Sequence, residues 1–343
     1  MVAGRAGVSV NAVFPGWHIQ CARCVQHTCR RFTPASNIVT VFPQATLLHL
    51  SGSITALATP FTAAGDIDFE SWKRHLDAQL AAGTRALVVA GSTGEAATLS
   101  DQEYVRLICA AVGQVGGRVP VLAGTGMSGT AKTIAQTRLA RDSGANLALV
   151  VTPPYVRPTQ AGLLAHYRAV AEQGGLPVVL YNVPGRTGCD LLPDTVAKLA
   201  AHPNIVGLKE SRGDAPRWAA LYPIASSSFA LLSGDDPTFL HAMRGGASGV
   251  ISVASNVVPA SFARLCHWAG NGQDQLADTL DGQLQPVYDF LGVEPNPIPL
   301  KALLDRMGIG RGLRLPLLDL SAEHAELANR VASLCRDIES HLQ

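Results

Sequence analysis

Eight short apolar segments constrain the fold more than any other feature of this chain. Each is four or five residues long, and they lie at 54–58, 86–90, 120–123, 147–151, 177–180, 205–208, 229–232 and 249–252. Stretches with helical periodicity separate them, as in chains that form parallel sheets. Eight such units at roughly 30-residue spacing predict an α/β fold, a closed (β/α)8 TIM barrel, because an open doubly wound sheet commonly has fewer strands.

Helix signals between the segments support this order. One segment places four large apolar residues on a single helical face, and Gly83 is expected to end that helix; the four are Phe69, Trp72, Leu76 and Leu80. The next helix is predicted to begin after Ser100, since Glu103 completes a capping box. We therefore assign residues 51–271 to the barrel and residues 272–343 to a C-terminal helical region, broken by a proline-rich segment at 294–299.

The first 50 residues differ in composition from the rest of the chain. They contain four arginines and three cysteines but no lysine and no acid, and the first acidic residue is Asp66. We interpret residues 1–50 as an unstructured extension, or as sequence translated from upstream of the true start. An organelle transit peptide is one alternative. A zinc site on Cys21 and Cys24, with Cys29 nearby, is another, but no second well-spaced pair supports it.

Charge and apolar content exclude several classes of function. The formal net charge of +1 gives no electrostatic reason to bind nucleic acid or an anionic membrane. No apolar run reaches the ~18 residues of a membrane-spanning helix. The cysteines beyond the first 50 residues are far apart, as is typical of reduced thiols; they are Cys109, Cys189, Cys266 and Cys335. We therefore expect a soluble, cytoplasmic protein.

The active site of a (β/α)8 barrel lies at the carboxyl ends of its strands. The sixth apolar segment runs directly into Lys209, where a strand would ordinarily end with Gly, Asn or Asp. Polar side chains follow other strands at this rim, namely Ser92, Thr93, Tyr155, Tyr181 and Arg186. No metal-ligand spacing and no dinucleotide-binding loop accompany them. The sequence predicts a site built on a lysine, with no metal and no cofactor; a surface amine is the alternative reading of Lys209.

A lysine at this rim can act as a nucleophile. A neutral amine adds to a ketone and loses water to form an imine, whose positive nitrogen acidifies the adjacent carbon. Loss of a proton from that carbon gives an enamine, which attacks an aldehyde. Tyrosine hydroxyls suit the proton transfers. The turn that begins at Gly91 can hold a carboxylate with its backbone N–H groups and hydroxyls.

Two adjacent acids, Asp235 and Asp236, follow the seventh strand. An acid pair could hold a metal ion or exchange protons with a substrate. Their position just before a helical segment instead favours a capping role at the start of that helix.

Six motifs resemble those of the dihydrodipicolinate synthase (4-hydroxy-tetrahydrodipicolinate synthase) family, in the family's order. They are Gly-Ser-Thr-Gly-Glu at 91–95, Tyr-Asn-Val-Pro-Gly-Arg-Thr-Gly at 181–188, Gly-Leu-Lys-Glu at 207–210, Leu-Ser-Gly-Asp-Asp at 232–236, Gly-Val-Ile-Ser-Val at 249–253 and Glu-Pro-Asn-Pro-Ile-Pro at 294–299. The resemblance implies a lyase that condenses pyruvate with L-aspartate 4-semialdehyde in the diaminopimelate route to lysine. Another pyruvate-dependent class I aldolase, acting on a sugar acid or a hydroxy-oxo acid, is the alternative.

The resemblance also implies catalytic roles. Lys209 would form the Schiff base, and Tyr181 would relay protons together with Ser92 and Tyr155. Ser92 replaces the threonine more usual in this synthase, but it keeps the hydroxyl; the serine form also occurs in the N-acetylneuraminate lyase branch. In the family the hydroxyl of the residue matching Tyr155 crosses a subunit interface, which implies a homotetramer built from tight dimers.

Substrate contacts follow from the same resemblance. Thr93 with Ser92 would bind the carboxylate of pyruvate, beside Gly91. Arg186 would bind the carboxylate of the semialdehyde, as a planar bidentate donor can. The backbone carbonyl of Ile251 would lie near the reactive lysine. Arg186 favours the synthase, because sialic acid lyases generally lack this arginine.

Regulation is where the sequence departs from the family. The positions that match the family's lysine-inhibition site are Asp101, Tyr104, Ser128, Lys132 and Pro154. Lys132 stands where the family has an acid that accepts the ligand's ammonium, so repulsion replaces attraction. We therefore expect weak or absent inhibition by L-lysine.

Overall fold

A computed structural model describes residues 50–342, in which eight parallel strands close into a barrel. The strands are Gly52–Ala56 (β1), Ala86–Val89 (β2), Val121–Gly124 (β3), Leu147–Val151 (β4), Val178–Asn182 (β5), Ile205–Glu210 (β6), Ala230–Ser233 (β7) and Gly249–Ser252 (β8). They follow chain order around the barrel, and β1 pairs with β8 to close it. The predicted (β/α)8 barrel is confirmed.

Helices connect the strands and extend beyond the last one. They are Phe69–Ala81 (α1), Asp101–Val115 (α2), Thr130–Asp142 (α3), Gln160–Gln173 (α4), Pro184–Thr187 (α5), Pro193–Ala200 (α6), Ala215–Leu221 (α7), Phe239–Gly245 (α8), Pro259–Gly270 (α9), Asp274–Leu291 (α10), Ile298–Arg306 (α11) and Ala325–Ser340 (α12). The capping box at α2 is confirmed, because Ser100 and Glu103 each accept a hydrogen bond from the other's backbone N–H. Gly83, at φ 91°, follows the end of α1 as predicted.

Two strands continue beyond their predicted ends. β5 and β6 each run two residues further, and the ladder pairs Tyr181 with Lys209 and Asn182 with Glu210. The sequence pattern ended both strands too early, because polar residues usually mark the point where a strand ends. Inside a barrel mouth, such side chains face either the site or a buried polar network, so the strand can continue.

Two apolar layers, one inside the barrel and one outside it, orient the side chains at the carboxyl ends of the strands. Strand residues that point inward fill the barrel interior, and they include Ile54, Val88, Leu149, Val179, Leu232 and Ile251. Outward-pointing residues pack against the surrounding helices, as Leu208 does. Since successive strand residues face opposite sides of the sheet, this alternation fixes which rim side chains enter the barrel.

The predicted C-terminal helical extension is confirmed. α10, α11 and α12 pack with α8 and α9 in an apolar cluster that includes Leu284, Leu300, Leu303 and Cys335. Residues 294–297 break the helical run, and α11 begins at Ile298. As a result, this extension lies against the barrel and brings its residues close to the strand ends.

Predictions for the first 50 residues, including the zinc site and the leader, fall almost entirely outside the described part of the chain. Between residues 50 and 342, no helix is both long and apolar enough to cross a membrane. Over the same residues, no group of three or more His, Cys, Asp or Glu side chains is placed to hold a metal ion.

Candidate active site

Strand β6 places the side chain of Lys209 inside the barrel. Leu208 packs in the outer layer, so the alternation of the strand turns Lys209 inward. Lys209 is 4% exposed. Of the five lysines in the chain, three are exposed, and buried Lys301 forms an ion pair with Glu95. Within residues 50–342 no carboxylate lies within salt-bridge distance of Lys209, which makes it a buried amine without a counter-ion.

Tyr181 lies directly beside this lysine on β5. The two residues are register partners, and the Lys209 Nζ atom lies 4.4 Å from the centroid of the Tyr181 ring. Tyr181 is buried and belongs to the interior cluster that also contains Ile251. The structure therefore brings Lys209, Tyr181 and Ile251 to the same end of the barrel interior.

Gly234, which follows β7, makes room for the lysine side chain. A Cβ atom at this position would lie 2.7 Å from Lys209 Cε and 2.4 Å from Ser211 Oγ. Either distance is too short for a real contact, so a larger residue would displace the lysine. Sequence reasoning missed this role, although Gly234 lies in a motif that it had singled out.

The predicted carboxylate-binding turn follows β2. The Gly94 N–H donates to the carbonyl of Gly91 (3.1 Å), and the Glu95 N–H donates to the carbonyl of Ser92 (3.2 Å). These bonds close a tight turn in which Thr93 is buried and Ser92 is exposed. Thr93 therefore faces the protein, whereas the Ser92 side chain is open to solvent.

Asn296, from the C-terminal region, links two predicted binding residues. Its Nδ2 donates to Thr93 Oγ1 (3.0 Å), and its backbone carbonyl accepts from Nη2 of Arg186 (2.9 Å). Arg186 is exposed, on the short helix α5. The two residues that we expected to bind different substrates thus share one neighbour. The sequence offered only one signal for Asn296, its place in the proline-rich motif.

The side chain of Tyr155 lies on the surface of this chain. Its side chain is 92% exposed, and its φ of 74° lies in the left-handed region that non-glycine residues rarely adopt. Its N–H donates to the carbonyl of Thr187, in the same segment as Arg186 (3.3 Å). In the described part of the chain, no hydrogen bond joins the hydroxyls of Ser92, Tyr155 and Tyr181 to one another. The proton relay stays a prediction.

A buried polar network supports β5 and β6 on the outer side of the sheet. Asn182 Nδ2 donates to both carboxylate oxygens of Glu210 (3.1 and 3.0 Å) and to Asp190 (2.8 Å). Arg217 bonds to Asp190 and lies 3.8 Å from Glu210. Burial raises the pKa of Glu210 to about 7, against the opposing effects of Asn182 and Arg217. The network joins the ends of the two strands that carry the candidate lysine and tyrosine.

The capping prediction for the two acids after β7 is wrong. Asp235 accepts from the Thr238 hydroxyl (2.6 Å), and it caps no backbone N–H of the following helical turn. Asp236 accepts from the backbone N–H groups of Val253 (3.0 Å) and Ala254 (2.7 Å), after β8. Burial raises the pKa of Asp236 to about 6. This carboxyl therefore links the end of β7 to the segment beyond β8, a contact that depends on the pairing of these two strands.

The sequence model of the Dihydrodipicolinate synthetase family matches residues 49–334. The chain belongs to this family.

Individual relatives agree with the family match. A protein of Xanthomonas axonopodis pv. citri (strain 306), named 4-hydroxy-tetrahydrodipicolinate synthase, is 64% identical over 286 residues, which cover 83% of this chain and 95% of that protein. A crystal structure of chloride-inhibited dihydrodipicolinate synthase from Acinetobacter baumannii complexed with pyruvate has a TM-score of 0.81 at 41% identity, and covers 83% of this chain and 99% of that one. The crystal structure of dihydrodipicolinate synthase from Cyanidioschyzon merolae with lysine bound has a TM-score of 0.79 at 35% identity, and covers 83% of this chain and 98% of that one.

Proposed function

We propose that this protein condenses pyruvate with L-aspartate 4-semialdehyde to give 4-hydroxy-tetrahydrodipicolinate, through a Schiff base on Lys209. The observation that carries the proposal is the buried Lys209 amine, which has no carboxylate partner among residues 50–342 and lies over the ring of Tyr181. A lysine held in this way is available to react with a carbonyl group.

The proposed reaction begins at the amine. Lys209 attacks the ketone carbon of pyruvate, water leaves, and an imine forms between Nζ and that carbon. A base removes a proton from the methyl group, and the electron pair of that C–H bond moves toward the positive nitrogen, which gives an enamine. The enamine carbon attacks the aldehyde carbon of the second substrate and forms the new carbon–carbon bond, while the aldehyde oxygen takes up a proton. The amine of that substrate then attacks the imine carbon, displaces Nζ of Lys209 and closes the ring. We assign the proton transfers to Tyr181, with Ser92 and Tyr155 as its partners.

Substrate carboxylates are the second part of the proposal. We assign the pyruvate carboxylate to the turn that contains Gly91, Ser92 and Thr93. The semialdehyde carboxylate is assigned to Arg186, whose exposed guanidinium remains free to bind beyond its bond to Asn296. Ile251 would contribute its backbone carbonyl near the lysine.

We also propose that the protein is a homotetramer of tight dimers. Tyr155 carries an almost fully exposed ring on a left-handed backbone, and Val156 beside it is also exposed. An exposed aromatic residue in a sparsely populated conformation is typical of a contact made by another subunit. Sedimentation equilibrium measures the assembly, and a fully active monomer would contradict the role of Tyr155.

A cytoplasmic location belongs to the same proposal. The four cysteines between residues 50 and 342 are free thiols, and three of them are buried in the protein. Free, unpaired thiols are typical of a reducing compartment.

Arg186→Ala tests the function directly. The variant should raise the KM for L-aspartate 4-semialdehyde about ten- to hundredfold, because hydrogen bonds to a charged group contribute about 1.5–3 kcal/mol. The KM for pyruvate should stay within about twofold, since Arg186 is assigned to the other substrate. The measurement is pyruvate consumption by the purified enzyme at varied concentrations of each substrate.

Arg157→Ala is the matched control, because Arg157 is also exposed and, among residues 50–342, its side chain bonds only to the carbonyl of Gly188 in the same loop cluster. It should leave both KM values unchanged. No turnover of the semialdehyde by the intact enzyme, with pyruvate still trapped on Lys209, would move the assignment to a pyruvate-dependent aldolase for a sugar acid or a hydroxy-oxo acid.

Weak inhibition by L-lysine is a further expected result. Lys132 is exposed on α3, and Tyr104 is buried with its hydroxyl donating to the carbonyl of Gly124 (2.9 Å). The ammonium of Lys132 would repel the ammonium of a bound lysine, and the Tyr104 hydroxyl already donates its proton within the protein. Both features disfavour binding of L-lysine. Initial rates at increasing L-lysine should show no half-inhibition below about 1 mM, which corresponds to about 4 kcal/mol of binding. Lys132→Glu removes the repulsion and should increase sensitivity; half-inhibition of the unaltered enzyme at lower lysine would contradict the prediction.

A further inference from the structure

Glu95 is the last residue of the predicted carboxylate-binding turn. Its side chain is fully buried, and its φ of 53° lies in the left-handed region. The backbone N–H of Glu95 bonds to Ser92, as described above, and both carboxylate oxygens are also used: Oε1 accepts from Lys301 Nζ (2.7 Å) and Oε2 from the backbone N–H of Arg314 (3.1 Å). A left-handed backbone at a non-glycine residue is unfavourable and persists only where its surroundings hold it in place.

Lys301 makes several of the contacts that keep Glu95 in this conformation. Its ammonium donates to Glu95 and to the backbone carbonyl of Thr59 (2.8 Å), and it lies 3.9 Å from the ring centroid of Phe61. Thr59 in turn donates from its hydroxyl to the carbonyl of Gly94 (2.7 Å). The lysine therefore fixes the turn through two residues that contact it, Glu95 and Thr59.

Arg314 adds a second link from the same C-terminal region. Its guanidinium forms an ion pair with Glu103 and donates to the carbonyls of Gly65 (2.9 Å) and Thr98 (3.0 Å). These contacts hold the Arg314 backbone, whose N–H reaches Glu95. Two residues from the last third of the chain thus converge on one carboxylate behind the turn.

We propose that Lys301 is a positioning residue for pyruvate binding, acting through Glu95 on the turn that contains Ser92 and Thr93. The inference rests on the proposed function of that turn. Its consequence is that the C-terminal helical region, which contributes no residue to the Schiff base, sets the affinity of the enzyme for its first substrate.

The physical reason is the cost of a buried charge. Both groups of the Lys301–Glu95 pair are almost completely buried, so loss of the ammonium would leave an uncompensated carboxylate. That carboxylate can regain solvation only if Glu95 rearranges, and a shift of its strained backbone would open the bond from its N–H to the carbonyl of Ser92. The turn then loses the geometry that presents its hydroxyls and N–H groups to the ligand.

Pyruvate trapping on Lys209 tests the inference without the second substrate. Sodium borohydride adds hydride to the imine carbon and converts the Schiff base into a stable secondary amine, which intact-protein mass spectrometry counts. The half-saturating pyruvate concentration is compared between the unaltered enzyme, Lys301→Met and Glu95→Gln/Lys301→Met. We expect Lys301→Met to raise it at least about tenfold, while saturating pyruvate still gives complete trapping. The double variant should melt higher than Lys301→Met, because no unpaired carboxylate stays buried, yet keep a raised half-saturating concentration.

Leu303→Ala is the matched control on the same helix. Leu303 is buried in the C-terminal apolar cluster, and it lies two residues from Lys301 in α11, on a different face of that helix. Its truncation should therefore lower the melting temperature without changing the half-saturating concentration by more than about twofold. An unchanged half-saturating concentration in either Lys301 variant would overturn the inference. An equal rise in Leu303→Ala would also overturn it, by showing that general loosening of α11 is the cause. Failure to trap pyruvate on the unaltered enzyme would overturn the proposed function itself.

Discussion

Lys209→Ala should abolish the condensation, with a loss in kcat on the order of 10⁴-fold or more, the size that follows removal of a covalent nucleophile. Without the amine no imine forms, so the methyl group of pyruvate has no electron sink. The variant should fold normally, because the lost group is a buried amine with no carboxylate partner in the described residues, and burying such a group is unfavourable. The measurements are the rate of pyruvate consumption, borohydride trapping and the melting temperature.

Lys198→Ala provides the control for this result. Lys198 is an exposed lysine on α6, and its removal should leave turnover and trapping intact. A Lys209→Ala variant that still traps pyruvate would show that another amine forms the Schiff base. The remaining buried lysine, Lys301, would then be the next candidate.

Gly234→Ala should reduce turnover about a hundredfold while leaving the barrel folded. The added methyl group would occupy space now taken by Lys209 Cε, and the flexible lysine side chain can move aside at little cost in stability. A displacement of about 1 Å at a reacting group is enough for a loss of this size. We therefore expect a lower kcat and slower trapping of pyruvate, with a melting temperature close to that of the unaltered protein.

The comparison variant for this prediction is Gly282→Ala. Gly282 lies exposed within α10, and a Cβ atom there would meet nothing within 4 Å. This substitution should keep full activity and add up to about 1 kcal/mol of stability, because alanine is the better helix former. Full activity in Gly234→Ala would mean that the lysine reacts from a different position than the one observed.

Much of the fold followed from local sequence patterns. The spacing of eight apolar segments predicted the barrel, and the capping box predicted the start of α2, because both depend on residues close together in the chain. The strand ends were less well predicted. β5 and β6 extend over polar residues whose burial depends on neighbours from other strands.

Part of the candidate site followed from the sequence as well. The position of Lys209 at the end of a strand was sufficient to place its side chain at the barrel rim, since strand direction and alternation are local properties. Asp236 shows the limit of this reasoning. Its neighbours in sequence suggested a helix cap, but its carboxylate accepts from residues beyond β8, which lie next to it because β7 pairs with β8.

The sequence by itself thus determined the barrel, the helical extension and the lysine at the rim. Only the tertiary structure decided how that rim is held: Asn296 contacts Thr93, and Lys301 contacts Glu95, across more than 200 residues of chain. Periodicity and capping signals act within a few turns of chain and contain no information about such pairs. These contacts form because the C-terminal helices pack against the barrel and bring their polar side chains behind the turn after β2.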